Sequence, residues 1–213
     1  MTAEDPRITR SRSLILDAAS EVFLMHGYDA AGVDAVADRA GVAKRTVYNI
    51  YGDKESLFRA TLARSIETAE RFAAILAEST AQLDDVDRDI PALSVRLAED
   101  VLLGPVLPLR RLLVSEAARF PDLVAEYRRR APDMVLRALS EAFAGLSARG
   151  VLAVDDAVVA AEHFAFLAMG AELDRGMFAT TAPSAREVRV RARAGARVFL
   201  AAYRAAETDG ADD

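Results

Sequence analysis

Between residues 14 and 52, apolar side chains recur at helical spacing in three short runs, and a glycine closes each, at 27, 41 and 52. Leu14, Ile15, Ala18, Val22 and Phe23 mark the first stripe, and Val33, Val36, Ala37 and Ala40 the second. The third predicted helix runs from Lys44 to Tyr51. Glycine enters left-handed backbone conformations without a Cβ clash, so it stops helices efficiently. Helices this short gain little from propensity alone and depend on packing one apolar face against a neighbour. The second and third are separated by a tight, glycine-containing turn. That is the helix-turn-helix arrangement, whose second helix enters a DNA major groove with its N-terminal residues leading.

Helical periodicity continues through the chain, and alternating strand patterns are absent. Asp53 is placed to cap a fourth, long helix with the stripe Phe58, Leu62, Ile66, Ala69, Phe72, Ala73 and Leu76. The acidic run "ESTAQLDDVDRDIP", carrying Asp84, Asp85, Asp87 and Asp89, reads as a solvated loop. Further helices are predicted near 91–103, 106–119, 121–148, 155–174 and 184–206. Pro121 suits a first helical position, and Pro132 should kink or split the helix around it. Arg128, Arg129 and Arg130 read as cations at a favourable helix C-terminus, with Glu126 spaced to pair with Arg130. No internal repeat of 20–50 residues suggests a solenoid. The expected fold is all-α, with about nine helices.

Composition narrows the chemistry. The 213 residues are 52% hydrophobic and 28% charged, with no cysteine and two histidines. Without cysteine there is no disulfide, thiolate nucleophile or cysteine metal site. His26 and His163, each in an apolar stretch, read as packed residues rather than metal ligands. No apolar run suggests a membrane span, and the polar N-terminus does not resemble a secretion signal. A cytoplasmic location is expected. The net charge of −6 argues against a general nucleic-acid coat, yet leaves room for one locally positive face.

Lys44 and Arg45 supply such a face at an odd place. A helix N-terminus carries partial positive charge, which disfavours cations. Both residues make sense if that helix end meets phosphate or guanine. Thr46 can then touch a base edge or thymine methyl, Tyr48 can offer its hydroxyl to phosphate, and Asn49 can read adenine. Lys54, another cation in a first helical turn, suits phosphate as well.

The run "ILDAASEVFLMHGYDAAGVDAVADRAGVAKRTVYNIYGDKESLF", Ile15 to Phe58, resembles the TetR/AcrR family of bacterial transcriptional regulators. It matches the family's Ile-Leu-x-Ala-Ala helix, Gly-Tyr turn, Ala-x-x-Ala-Gly-Val step and Tyr-x-x-aromatic-Gly-x-Lys-Glu-x-Leu finish. The resemblance implies a DNA-binding domain over residues 10–58 and a helical ligand-binding and dimerisation domain over 59–213. It also implies that Lys44, Arg45, Thr46, Tyr48, Asn49 and Lys54 face DNA. There are departures: Ala31-Gly32 stands where Thr-Ser is common, Ala43 where serine is frequent, and Ile50 where a histidine or tyrosine often contacts the backbone. These imply fewer phosphate contacts, for which Arg7, Arg10 and Arg12 in an N-terminal arm offer compensation.

The segment "RRLLVSEAARFPDLVAEYRRRAPDMVLRALSEAF" resembles an effector domain of part of the family. Candidate effector contacts are Arg119, Tyr127, Met134, Phe166 and Met169, although the aromatic and methionine residues equally suit a bundle core and Arg119 a surface. The last two predicted helices are rich in small residues, with Phe164, Leu167, Val198, Phe199 and Tyr203 as anchors. They suit a two-fold interface or close packing within one chain. The expected function is a ligand-responsive, dimeric repressor on a palindromic operator, without a cofactor or metal. The alternative is a helical ligand-binding or interaction protein whose DNA-binding head has lapsed. An enzyme is disfavoured because no nucleophile–base motif is evident.

Overall fold

The computed structural model describes residues 6–178 and 183–206. Eleven helices make up the described chain: α1 (Pro6–Ala30), α2 (Val33–Ala40), α3 (Lys44–Tyr51), α4 (Lys54–Thr80), α5 (Val86–Leu102), α6 (Val106–Ser115), α7 (Pro121–Arg130), α8 (Pro132–Ala148), α9 (Ala157–Met169), α10 (Ala171–Phe178) and α11 (Ala185–Tyr203). Among the described residues the only strand-like feature is one antiparallel bridge between Leu152 and Arg204. The two helices beyond the predicted nine come from splits. Pro132 breaks the stretch 121–148, starting α8 where its missing N–H costs nothing. Gly170, at φ 55°, breaks the stretch 155–174.

Two compact units divide the chain. One comprises residues 1–69 with 108–128, and the other 70–107 with 129–213. The first is therefore larger than residues 10–58. Its helices α1 and α2 bury Ile15, Ala18, Ala19, Val22, Phe23, Val33, Val36 and Ala37, while Leu14 of the predicted stripe is exposed. Gly27 bends the last turn of α1 at φ 71°. Beyond it Tyr28 joins Phe23, Phe58 and Phe120 in an aromatic cluster with ring centres 4.8–6.3 Å apart. Arg10 and Arg12 lie on α1, not on an irregular arm. The side chain of Arg7 falls outside the described residues.

The second unit packs α5, α8, α9 and α11 around Ile90, Leu97, Phe143, Phe164, Ala192 and Phe199. Gly195 lies so close to α9 that a Cβ there would overlap the Leu167 carbonyl oxygen. Phe164 and Phe199, expected as interface anchors, are core residues of this unit. The small residues of α9 and α11 thus serve close approach within the chain.

The acidic run corrects the sequence reading: α5 begins at Val86. Asp85 caps it, accepting from the N–H groups of Asp87 and Arg88 at 3.1 and 3.3 Å. Asp89 accepts from the N–H groups of Asp84 and Asp85, both at 3.0 Å. The Arg88 guanidinium at 2.7 Å and these N–H groups hold the Asp89 carboxyl down to about 2. Four aspartates at a helix N-terminus are favourably placed against its dipole. Both histidines also differ from expectation, since each is exposed. His163 Nδ1 lies 2.6 Å from the Tyr203 hydroxyl.

Candidate nucleic-acid interface

The turn between α2 and α3 is set by Gly41, left-handed at φ 67°. The Val42 N–H donates to the Ala37 carbonyl at 3.1 Å and the Gly41 N–H to Asp38 at 3.2 Å. These two bonds close the helix in the Schellman pattern. The chain reverses within residues 41–43, and α3 starts at Lys44.

In α3 the side chain of Val47 is buried at 1% exposure and fixes the helix on its neighbours. Lys44, Arg45, Tyr48 and Asn49 are exposed. Their spacing puts them on adjacent turns of one face. That face carries two cations and no carboxylate of its own. Arg45 and Asn49 make no side-chain hydrogen bond or ion pair among the described residues, and Thr46 is half-buried. Neither Gly32 before α2 nor Ala43 before α3 supplies a side-chain cap. The Thr46 N–H turns back to the Ala43 carbonyl at 2.8 Å, which leaves the Lys44 and Arg45 amides at the head of α3 for an anion.

Two of the cations have partners. The Lys44 ammonium is 2.6 Å from Asp34 on α2, a hydrogen bond that raises its pKa, and lies 5.9 Å from the centre of the Tyr48 ring. The Lys54 ammonium donates to the Asp29 carbonyl at 3.0 Å and sits 4.7 Å from the Tyr28 ring centre. An ammonium has three donors, so this clamp leaves Lys54 able to reach a phosphate. Asp53 caps α4 by accepting from the Ser56 N–H at 2.7 Å, which lowers its pKa. Sequence reasoning missed Asp34. Its signal was an acid in the first turn of α2, unremarkable until the fold sets it beside Lys44.

The same unit includes residues 108–128, and their contacts converge on the corner at Gly27. The Tyr28 N–H donates to Glu116 at 3.2 Å. Arg119 lies 4.1 Å from the Tyr28 ring centre and pairs with Asp29 at 2.9 Å. Arg59 on α4 pairs with Asp122 at 2.6 Å.

The proposed effector residues have separate surroundings. Arg119 is engaged with Tyr28 and Asp29, and Tyr127 is buried in the same unit. Burial pushes the Tyr127 phenol pKa up, while the neighbouring Arg110 guanidinium draws it back down. In the other unit Met169 belongs to the core, Met134 is half-buried and Phe166 is exposed. Among the described residues no group of three or more His, Asp and Glu could hold a metal ion. No described helix is long and apolar enough to cross a membrane.

Known proteins resemble this chain in sequence and in fold. FasR, a transcriptional activator of Mycolicibacterium smegmatis, is 48% identical over 62 residues, covering 29% of this chain and 28% of FasR. AcnR, a transcriptional repressor of Corynebacterium glutamicum, is 32% identical over 105 residues, covering 46% of this chain and 54% of AcnR. The chain thus spans between about a quarter and a half of these relatives. A TetR-family regulator structure from Mesorhizobium loti superposes with a TM-score of 0.78 at 27% identity, covering 94% of this chain and all of that one. A TetR regulator from Haloarcula marismortui shares the fold at a TM-score of 0.70 and 17% identity, covering 92% of this chain and 100% of its own. Residues 15–61 match the family described as bacterial regulatory proteins, tetR family. Residues 92–205, more than half of the chain, match the C-terminal domain of AefR-like transcriptional repressors. From its helix-turn-helix to its last helix, the chain belongs to the TetR family of transcriptional regulators.

Proposed function

We propose that this protein is a ligand-responsive, sequence-specific repressor that binds a palindromic operator as a dimer in the cytoplasm. The observation that carries this reading is the outward face of α3, where Lys44, Arg45, Tyr48 and Asn49 stand together, free of acidic neighbours on their own helix. Arg45 and Asn49 suit base edges, while Lys44, Tyr48 and the half-engaged Lys54 suit phosphates.

Dimerisation is proposed through the exposed apolar residues Val158, Val159 and Phe166 of α9 and Val190 and Val198 of α11. Their spacing gives each helix a solvent-facing apolar strip that a second copy would cover. Tyr127 is the proposed effector contact, since its buried hydroxyl, with the Arg110 guanidinium beside it, offers a polar anchor in an apolar setting. An effector that displaces residues 108–128 would pull on Tyr28 through Glu116, Arg119 and Phe120. Shifting operator affinity about 100-fold needs roughly 2.8 kcal/mol of differential binding between two states.

The test is binding to DNA flanking the protein's own gene, titrated against random DNA at several salt concentrations. Selective, salt-dependent binding supports the reading, and equal weak binding to both supports a ligand-binding protein with a lapsed head. Lys44→Ala should weaken binding and reduce the logarithmic salt slope by about 0.9, the value for one phosphate contact. Arg129→Ala should leave affinity unchanged, because Arg129 belongs to the basic end of α7.

A further inference from the structure

The ion pair between Lys44 and Asp34 has no structural need that either residue could not meet alone. Both side chains are exposed, at 55% and 67%, and surface pairs of this kind contribute little to folding. Asp34 also stands in the first turn of α2, where an acid is favourable by itself. Yet it is aimed at the first residue of α3, the residue best placed to meet phosphate. The bond is 2.6 Å long. Its neighbours on that face, Arg45 and Asn49, are left unengaged.

We propose that Asp34 is an internal competitor of DNA phosphate for Lys44, and that it lowers affinity for non-operator DNA. A phosphate and a carboxylate offer the ammonium similar oxygen acceptors. To contact DNA, Lys44 must give up Asp34 and leave that carboxylate uncompensated close to a polyanion. On random DNA, where binding is almost wholly phosphate charge, the exchange removes much of what Lys44 would contribute. On an operator the base contacts of α3 are added, so the same penalty is a smaller share of the binding. The departures at Gly32, Ala43 and Ile50 remove side chains that could meet phosphate, which makes the availability of each cation more consequential.

This inference rests on the DNA-binding reading, and one experiment separates the two. Wild type, Asp34→Asn, Lys44→Ala and the double variant are titrated with a random-sequence duplex and with the flanking DNA over a range of salt. Thermal unfolding of each variant reports whether α2 remains intact. Asp34→Asn is isosteric and should tighten random-duplex binding about two- to fivefold, the scale of releasing one exposed pair. It should also steepen the salt slope by up to about 0.9. In the Lys44→Ala background the same substitution should give a clearly smaller gain, because the competed cation is gone. Asp34→Glu should restore wild-type behaviour. Unchanged or weaker binding by a folded Asp34→Asn protein overturns the inference, as does an equal gain with and without Lys44. Absence of any DNA binding by wild type overturns the DNA-binding reading, and the inference with it.

Discussion

Asp89 shows how a single side chain can organise a helix start. It accepts two backbone N–H groups and the Arg88 guanidinium, and its pKa falls from 3.8 to about 2. A lowered carboxyl pKa means stability that is present above the unfolded value and lost as pH falls through the folded one. Asp89→Asn should therefore lower the melting temperature at neutral pH. The gap to wild type should narrow between about pH 5 and pH 2, and vanish below both pKa values. A gap independent of pH would show that the ionised carboxylate is not what matters. Residue-scale features of this sort were the least legible in the sequence. Four aspartates in six residues look like a solvated loop until the backbone shows which N–H groups they satisfy. Asp34 was invisible for a related reason: its partner lies on another helix, and composition does not report who faces whom. Lys44 and Arg45 stood out in the sequence because a cation conflicts with an isolated helix N-terminus, and Asn49 only through its place on the same helix.

At the scale of elements, glycine and proline set most boundaries, and their positions could be read directly. Gly41 and Gly52 end α2 and α3 where the stripes stop. Gly195 does something different, since it lets α11 touch the backbone of α9. Gly195→Ala would force a methyl group onto the Leu167 carbonyl, and the helices must separate. The expected loss is at the upper end of the roughly 1–3 kcal/mol seen for overpacking, or beyond it. Chemical denaturation would check this, and a loss under about 0.5 kcal/mol, typical of surface sites, would show that the contact relaxes freely. The sequence suggested close approach here through small residues but did not identify which helices meet. Pairings such as Ser94 with the Ala192 carbonyl, 98 positions apart at 2.8 Å, depend on topology rather than on local pattern.

For the whole molecule, the less expected result is the membership of residues 108–128 in the unit that holds the helix-turn-helix. Tyr28 and Glu116 are 88 positions apart, and nothing near either residue announces the bond. The proposed dimer belongs to this scale as well. Phe166, at 61% exposure, lies with Val158 and Val159 on the exposed apolar strip of α9 proposed for the interface. Phe166→Asp should convert the protein to a monomer by analytical ultracentrifugation. It should also weaken binding to a two-half-site operator far more than to a single half-site. A variant that stays dimeric would move the interface away from α9.

The absence of a side-chain cap on α3 has a consequence for how DNA is recognised. A helix of eight residues whose first two amides lack a side-chain cap relies on packing, here through Val47, to hold its geometry. In the proposed complex, DNA phosphates would supply the partners those amides lack, so binding would firm up the start of the reading helix. Amide hydrogen exchange at Lys44 and Arg45 should then slow when DNA is added, and unchanged exchange would show that these amides meet no phosphate. That ordering would subtract from the affinity, and so would ease release of the head from DNA.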